Sequence, residues 1–320
     1  MPWCASTPFA LLTPGSKDLT FDANTQLMLQ DIAVVAMCAI GMTLVIIAGG
    51  IDLSAGSTIA LAMITTAYVL NLGPGARVVR SSPHLMPVLV VLAAMTVAGV
   101  VGLINGLLVT RSAWCLSSSP SAPCKWPAAP AKLVANEQNI YPPPTWSANL
   151  DCPPARSGAH GVHVSVSPNR GLAGGGLRGA CGPFLRYTRL GRHTFAVGSN
   201  EKTAILCGVP GRSTKLAVYL ISGLFSGRLA SFSSRLGGIG QPTEAIGYEL
   251  FVIAAAVVIG GASLLGGRGT VLGTMIGALI ITILRNGGVK WLAAVHAGNC
   301  HGGGDRSGRG HRQPAEPPLT

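Results

Sequence analysis

Residues Ile40 to Ser57 read IGMTLVIIAGGIDLSAGS, and this stretch decides the fold. It closes an uncharged block, Ile32 to Ile51, and passes through a double glycine, an acid and a serine into a second apolar block, Leu53 to Leu72. A helix rising about 1.5 Å per residue needs about 20 apolar residues to cross the hydrocarbon core of a bilayer, and each block has that length. Further apolar blocks run Leu85 to Thr110, Leu216 to Phe232, Leu250 to Leu265 and Val271 to Leu284. The expected fold is all-α, a polytopic transmembrane helical bundle with about six spans.

Composition points the same way. Mean hydropathy is +0.48 and charged residues make up 11% of the chain, against about 25% in soluble domains. The 43 glycines suit membrane helices that pack by close backbone approach. A net charge of +12 raises nucleic acid as a partner, but the Lys and Arg residues lie between and after the apolar blocks, as cytoplasmic loops require. They form no clustered basic face, and no nucleic-acid partner is expected. None of the eight cysteines forms a C-x-x-C pair, and His160 and His163 lack flanking ligands, so no metal site is expected. Residues 1–31 show no basic region followed by an apolar one, and no cleavable signal peptide is expected.

Four blocks carry a resemblance. GMTLVIIAGGIDLSAGS, NGLLVTR (Asn105 to Arg111), LGRHTFAVGSNEKTAILCGV (Leu190 to Val209) and GGASLLGGRGTVLGTMIGALI (Gly260 to Ile280) resemble, in this order, the ribose-type permease family of bacterial ABC sugar importers. The resemblance covers residues 8–111 and 185–288. It implies a multi-pass subunit of the bacterial inner membrane, embedded in lipid and paired with a second permease copy. A periplasmic sugar-binding protein would deliver the sugar, and a cytoplasmic ABC ATP-binding subunit would use ATP. This chain has no G-x-x-x-x-G-K-[ST] loop and no cofactor of its own is expected, so the energy must come from another polypeptide.

Matched against that family, the chain divides into an external segment (1–31), transmembrane helices (32–110), an insert (111–184), a cytoplasmic coupling loop (185–215), more transmembrane helices (216–288) and a tail (289–320). The insert carries Pro142-Pro143-Pro144 and Pro153-Pro154 and no apolar run of spanning length. Two readings fit the insert and the tail: translation in a disrupted frame, or a natural polar insert and a natural tail. Either way, secondary structure is not expected there. Four family spans, including one before Ile32, would be missing or disrupted.

Orientation follows from Arg111 and from the basic run Arg186 to Lys215, both expected on the cytoplasmic side. Three crossings back from Arg111, residues 1–31 fall outside. Arg77 and Arg80 then sit in an external loop, against the rule.

The signature turn is Gly49, Gly50, Asp52 and Ser54. The two glycines should break the first helix, with Asp52 or Ser54 capping the next; the other reading makes Asp52 an intramembrane ligand. Arg228, inside an apolar block, must snorkel, pair or face water. Gly102 with Gly106, and Gly269 with Gly273 and Gly277, form small-xxx-small ridges read as helix-packing faces, with path lining as the alternative. In the coupling segment, Glu201 to Cys207 should make about two helical turns, capped by Ser199 or Asn200 and stopped by Pro210 and Gly211. The resemblance implies that Gly198, Asn200, Glu201, Ala204 and Gly208 contact the ATP-binding subunit; without it, the segment reads as an ordinary basic loop.

No nucleophile triad, H-E-x-x-H or acid cluster is present, so the chain is expected to be a transporter subunit rather than an enzyme. The expected function is translocation of a monosaccharide such as ribose, driven by ATP on a partner. The alternatives are a nonfunctional truncated permease product and an ion-coupled secondary transporter, which would need ionisable residues at matching broken helices in both halves.

Overall fold

The computed structural model of the protein describes residues 21–71, 85–111, 126–136, 138–140, 182–237, 240, 252 and 254–302. Among these residues the architecture is all-helical, and the one β contact is an isolated bridge between Ile140 and Gly240. The principal helices are α1 (Phe21–Ile47), α2 (Ala55–Asn71), α3 (Leu85–Arg111), α4 (Ala128–Ala135), α5 (Arg189–Ser199), α6 (Glu201–Leu206), α7 (Gly211–Gly237) and α8 (Val271–Gly302), with a π-helical turn at Ala254–Ile259.

The double glycine ends α1 as its sequence requires. Gly49 has φ +79°, its N–H donates to Ile46 O, and Gly50 N–H donates to Val45 O across the end of the helix. This pair of bonds satisfies carbonyls that a helix end leaves open, and the left-handed position between them favours glycine.

Helix α7 is central and packs against α3, α1 and α2. Its crossing with α3 is antiparallel and close. A Cβ on Gly99 would lie 3.1 Å from Leu224, one on Gly102 would lie 3.2 Å from the Gly223 Cα, and one on Gly106 would lie 3.3 Å from the Leu216 Cα. Helix α1 is antiparallel to α8, with Ile47 beside Gly269, the Thr43 and Thr274 hydroxyls 2.7 Å apart, and Val35 and Ala36 clustered with Ala278. The core between these helices consists of aliphatic and small side chains.

Two helices are both long and apolar enough to cross a membrane among the described residues, Val88–Arg111 and Val271–Gly288, while Asp31–Ile47 and Ala55–Leu70 are shorter apolar helices. Val88, Leu92, Val100, Leu103 and Leu107 on α3, and Leu272, Ile276, Leu279 and Leu284 on α8, leave apolar faces exposed. Lipid would cover such faces without cost.

Three expectations need correction. The block Leu250 to Leu265 is no continuous span: its described part is Val252, the π-helical turn and then irregular backbone from Gly260, where Gly260, Gly261, Gly266 and Gly267 do not support a helix. Within the insert 111–184, α4 is ordered, because Ala131 and Ala135 bury their methyl groups against Ile64 of α2. Within the tail 289–320, α8 continues to Gly302; a chain already wound into a helix extends at one hydrogen bond per added residue. Residues 1–20 of the segment 1–31, Arg77 and Arg80, His160 and His163, and both proline clusters lie outside the described residues.

Candidate functional site

The elbow between α5 and α6 is built by Asn200. Its backbone is extended (φ −158°, ψ 104°) and ends α5, while its side-chain Oδ1 accepts from Thr203 N–H at 3.1 Å and opens α6. Of the two expected caps, Asn200 is the one used, and Ser199 is the last residue of α5. Glu201, in the first turn of α6, accepts from Lys215 Nζ at 2.7 Å, tying α6 to the start of α7.

Gly208, with φ +81°, stops α6. Its N–H donates to Ile205 O and Val209 N–H donates to Ala204 O, the same arrangement that ends α1. Pro210 is therefore not the stop; its carbonyl accepts the Thr214 N–H at 3.0 Å, in the first turn of α7.

The five coupling residues divide by accessibility. Asn200, Glu201 and Gly208 are exposed, Ala204 is buried, and Gly198 is only partly accessible. The sequence reading missed the two side chains that α6 holds outward: Ile205 is 54% exposed and Leu206 86%. Their signal was available, since apolar residues beside buried Ala204 on a six-residue helix cannot all face inward.

Gly198 sits at a junction of three backbones. A Cβ there would overlap the Ile47 carbonyl oxygen at the end of α1 and lie 2.7 Å from Gly267 N. The same Ile47 carbonyl accepts the Gly267 N–H at 2.9 Å, while a Cβ on Gly266 would lie 2.6 Å from Gly198 O and 2.9 Å from the Gly49 Cα. The end of α1, the end of α5 and the 260–270 loop thus meet without intervening side chains.

At the signature turn, Asp52 caps α2 only indirectly. Its Oδ1 accepts the backbone N–H of Ser54 at 2.9 Å and also the Ser54 hydroxyl, while Ser54 O accepts Thr58 N–H at 2.8 Å in the first turn of α2. The Ser54 Oγ accepts from Asn105 Nδ2 at 2.6 Å, and Asn105 Oδ1 accepts from Trp126 Nε1 at 2.9 Å. Asp52, Ser54 and Asn105 are all buried. The buried carboxylate is thus satisfied by hydrogen-bond donors, as buried polar groups generally are. A Cβ on Gly50 would press on the Tyr219 hydroxyl at 2.7 Å.

The glycine ridges behave differently from one another. Gly102 and Gly106 pack on α7 as read, and their partners include Gly223 and Tyr219. The matching spacing Gly223-x-x-x-Gly227 was in the sequence and was overlooked. Gly269 precedes α8 and packs on the Ile47 side chain, Gly273 faces the Gly260 carbonyl, and Gly277 is buried, so these three do not form one helical ridge. Arg228 is half-buried. Among the described residues no group of three or more His, Cys, Asp or Glu could hold a metal ion.

Comparison with known proteins adds the lineage. The family described as "Branched-chain amino acid transport system / permease component" matches residues 24–113 and 183–300. The ribose import permease protein RbsC of Escherichia coli is 32% identical over 261 residues, covering 81% of this chain and 76% of that protein. The protein of the same name from Bacillus subtilis is 33% identical over 283 residues, covering 81% and 75%. The L-arabinose ABC transporter permease protein AraH of Azospirillum brasilense is 27% identical over 288 residues, covering 85% and 74%. No solved structure matches the chain.

Proposed function

Because this chain belongs to the family of branched-chain amino acid transport system permease components, and within it to the permeases of ABC sugar import, we propose that it is the permease subunit of an ATP-driven importer carrying a monosaccharide such as ribose across the bacterial inner membrane. Two copies would frame the path, a periplasmic sugar-binding protein would deliver the sugar, and an ABC ATP-binding subunit would supply the energy. The observation that carries this reading is the elbow. Helix α6 presents Ile205 and Leu206 outward, is capped by Asn200 and linked to α7 by the Glu201–Lys215 pair, and follows the Gly198 junction by only a few residues. A short helix with outward apolar side chains on a braced support suits the groove of a partner that pushes.

Polarity supports it too. Since α3 and α1 both run antiparallel to α7, the signature turn, the end of α3 at Arg111 and the α5–α6 elbow share one side, the basic side expected to be cytoplasmic. Buried Asp52 is held by Ser54, which favours a structural role over an ion site and so disfavours the ion-coupled reading.

The test is ribose uptake in a bacterial strain lacking its own ribose permease, with the binding protein and ATP-binding subunit supplied. Uptake that needs the ATP-binding subunit, and that Leu206→Asp abolishes while the chain still inserts, is the expected result. Uptake without that subunit, dissipated by an ionophore, would establish the secondary transporter instead. Absence of uptake for ribose, xylose and arabinose alike would favour the nonfunctional product, a reading motivated by residues 114–182 falling between the matched segments.

A further inference from the structure

The segment that carries Trp126, α4 and Ile140 lies between the two stretches matched to the family, 24–113 and 183–300, yet it contacts the matched part of the chain at three places. At its start, Trp126 Nε1 donates to Asn105 Oδ1 of α3 at 2.9 Å. In the middle, Ala131 and Ala135 pack against Ile64 and Leu61 of α2. At its end, Ile140 and Gly240 exchange backbone bonds, Ile140 N–H to Gly240 O at 2.9 Å and Gly240 N–H to Ile140 O at 2.8 Å. Gly240 in turn is pressed on α2, where a Cβ would lie 2.5 Å from Ala67 Cβ and 3.4 Å from Met63 O.

These contacts progress along α2. The first lies beside Ser54, just before α2, the second at Leu61 and Ile64, and the third, through Gly240, at Met63 and Ala67 in the second half of α2. The segment therefore runs lengthwise over α2, joining α3 at one end of the bundle to the chain beyond α7 at the other.

Its first contact also sets a direction. An indole N–H can only donate, so Trp126 compels the Asn105 amide to offer its oxygen on that side and its NH₂ toward Ser54. Ser54 Oγ accepts from Asn105 Nδ2 at 2.6 Å, and its own hydrogen is committed to Asp52 Oδ1. Each group in this chain, buried from Asp52 to Asn105 and half-buried at Trp126, has one orientation that satisfies all the others, and the donor-only indole selects it.

We propose that this segment is an intramolecular strap that locks α2 and α3 around the signature turn, with Trp126 as the positioning residue that orients Asn105, Ser54 and Asp52. Any displacement of α2 from α3 must break the Asn105–Ser54 bond and loosen the strap. The inference concerns this chain's own packing and holds whatever the chain carries.

Hydrogen exchange on the full chain in lipid nanodiscs tests it without partners or sugar. The chain has five tryptophans, so their ¹⁵N-labelled indole signals can be assigned by single Trp→Phe variants. In the unsubstituted protein the Trp126 indole N–H exchanges slowly, and Asn105→Leu speeds it about tenfold, the equivalent of one net hydrogen bond. Trp126→Phe keeps an aromatic ring but removes the donor together with the pyrrole half of the indole; it speeds exchange of backbone amides at the start of α2 and at Ile140 by a similar factor. Fast exchange of the Trp126 indole in the unsubstituted protein overturns the proposal. So does a folded Trp126→Phe variant in which only α4 loosens. If that variant does not fold, the indole measurement on the unsubstituted chain decides alone.

Discussion

Gly102 of α3 and Gly223 of α7 face each other reciprocally: a Cβ built on either would lie 3.2 Å from the Cα of the other. Each glycine is also closed in by a carbonyl of the opposite helix, Tyr219 O against Gly102 and Ala98 O against Gly223. In lipid, helices gain nothing from hiding apolar surface, and this depth of contact is what holds them together.

Enlarging that contact should therefore separate α3 from α7. Gly102→Val and Gly223→Val are each expected to cost at least about 1–3 kcal/mol, the usual range for overpacking. Thermal unfolding in detergent would show it as a lowered midpoint. Gly99→Ala is the control, since its Cβ would meet only the flexible ends of side chains, Leu224 at 3.1 Å and Leu220 at 3.5 Å, and the midpoint should move little.

Gly198→Ala is expected to be more damaging than its single methyl suggests. The added carbon overlaps the Ile47 carbonyl, so either α5 withdraws or the Gly267 to Ile47 bond breaks, at about 1–3 kcal/mol for a buried group left without its partner. Exchange mass spectrometry should show loosening at the end of α1 and at Gly267 together. Gly182→Ala, with open space around its Cβ, should change neither.

The Thr43 and Thr274 hydroxyls meet at 2.7 Å, yet each also has a carbonyl of its own helix within reach, Ala39 O at 2.7 Å and Thr270 O at 3.0 Å. Replacement of either by Val leaves the other a partner. A double-mutant cycle with Thr43→Val and Thr274→Val should thus return a coupling of about 0.6 kcal/mol, the average for interhelical bonds in lipid. A coupling above about 1.7 kcal/mol, the largest seen in such cycles, would contradict it.

On the elbow, Asn200→Ala should cost about 1 kcal/mol through loss of the cap on α6. Glu201→Gln should cost less than about 1 kcal/mol, because the Glu201 side chain of its pair with Lys215 is 44% exposed and such pairs are weak in water. Denaturation in urea would rank the two. The reverse order would mean that the pair, not the cap, holds α6.

Local signals in the sequence were legible. The end of α1 at Gly49 and Gly50, the Asn200 cap and the Gly102 and Gly106 face each depend on residues within a turn or two of one another. The Gly208 stop was equally local but lost to the more conspicuous Pro210. What stayed hidden depends on separation. Ile47, Gly198 and Gly267 are brought together only by folding, and no spacing rule connects them. Trp126 lies in a stretch whose composition argues against structure, and its partner Asn105 lies on α3, 21 residues earlier. The block ending at Leu265 misled because apolar content alone does not reveal that its glycines leave the helix.

The backbone meeting at Gly198 has a genetic consequence. Where two side chains clash, a second mutation can shrink one of them and restore the fit. Here the obstacle is the carbonyl oxygen of Ile47, common to every amino acid, and no substitution at position 47 can remove it. A screen for second-site suppressors of Gly198→Ala should return no compensating residue at that position, only true revertants or changes that shift whole helices.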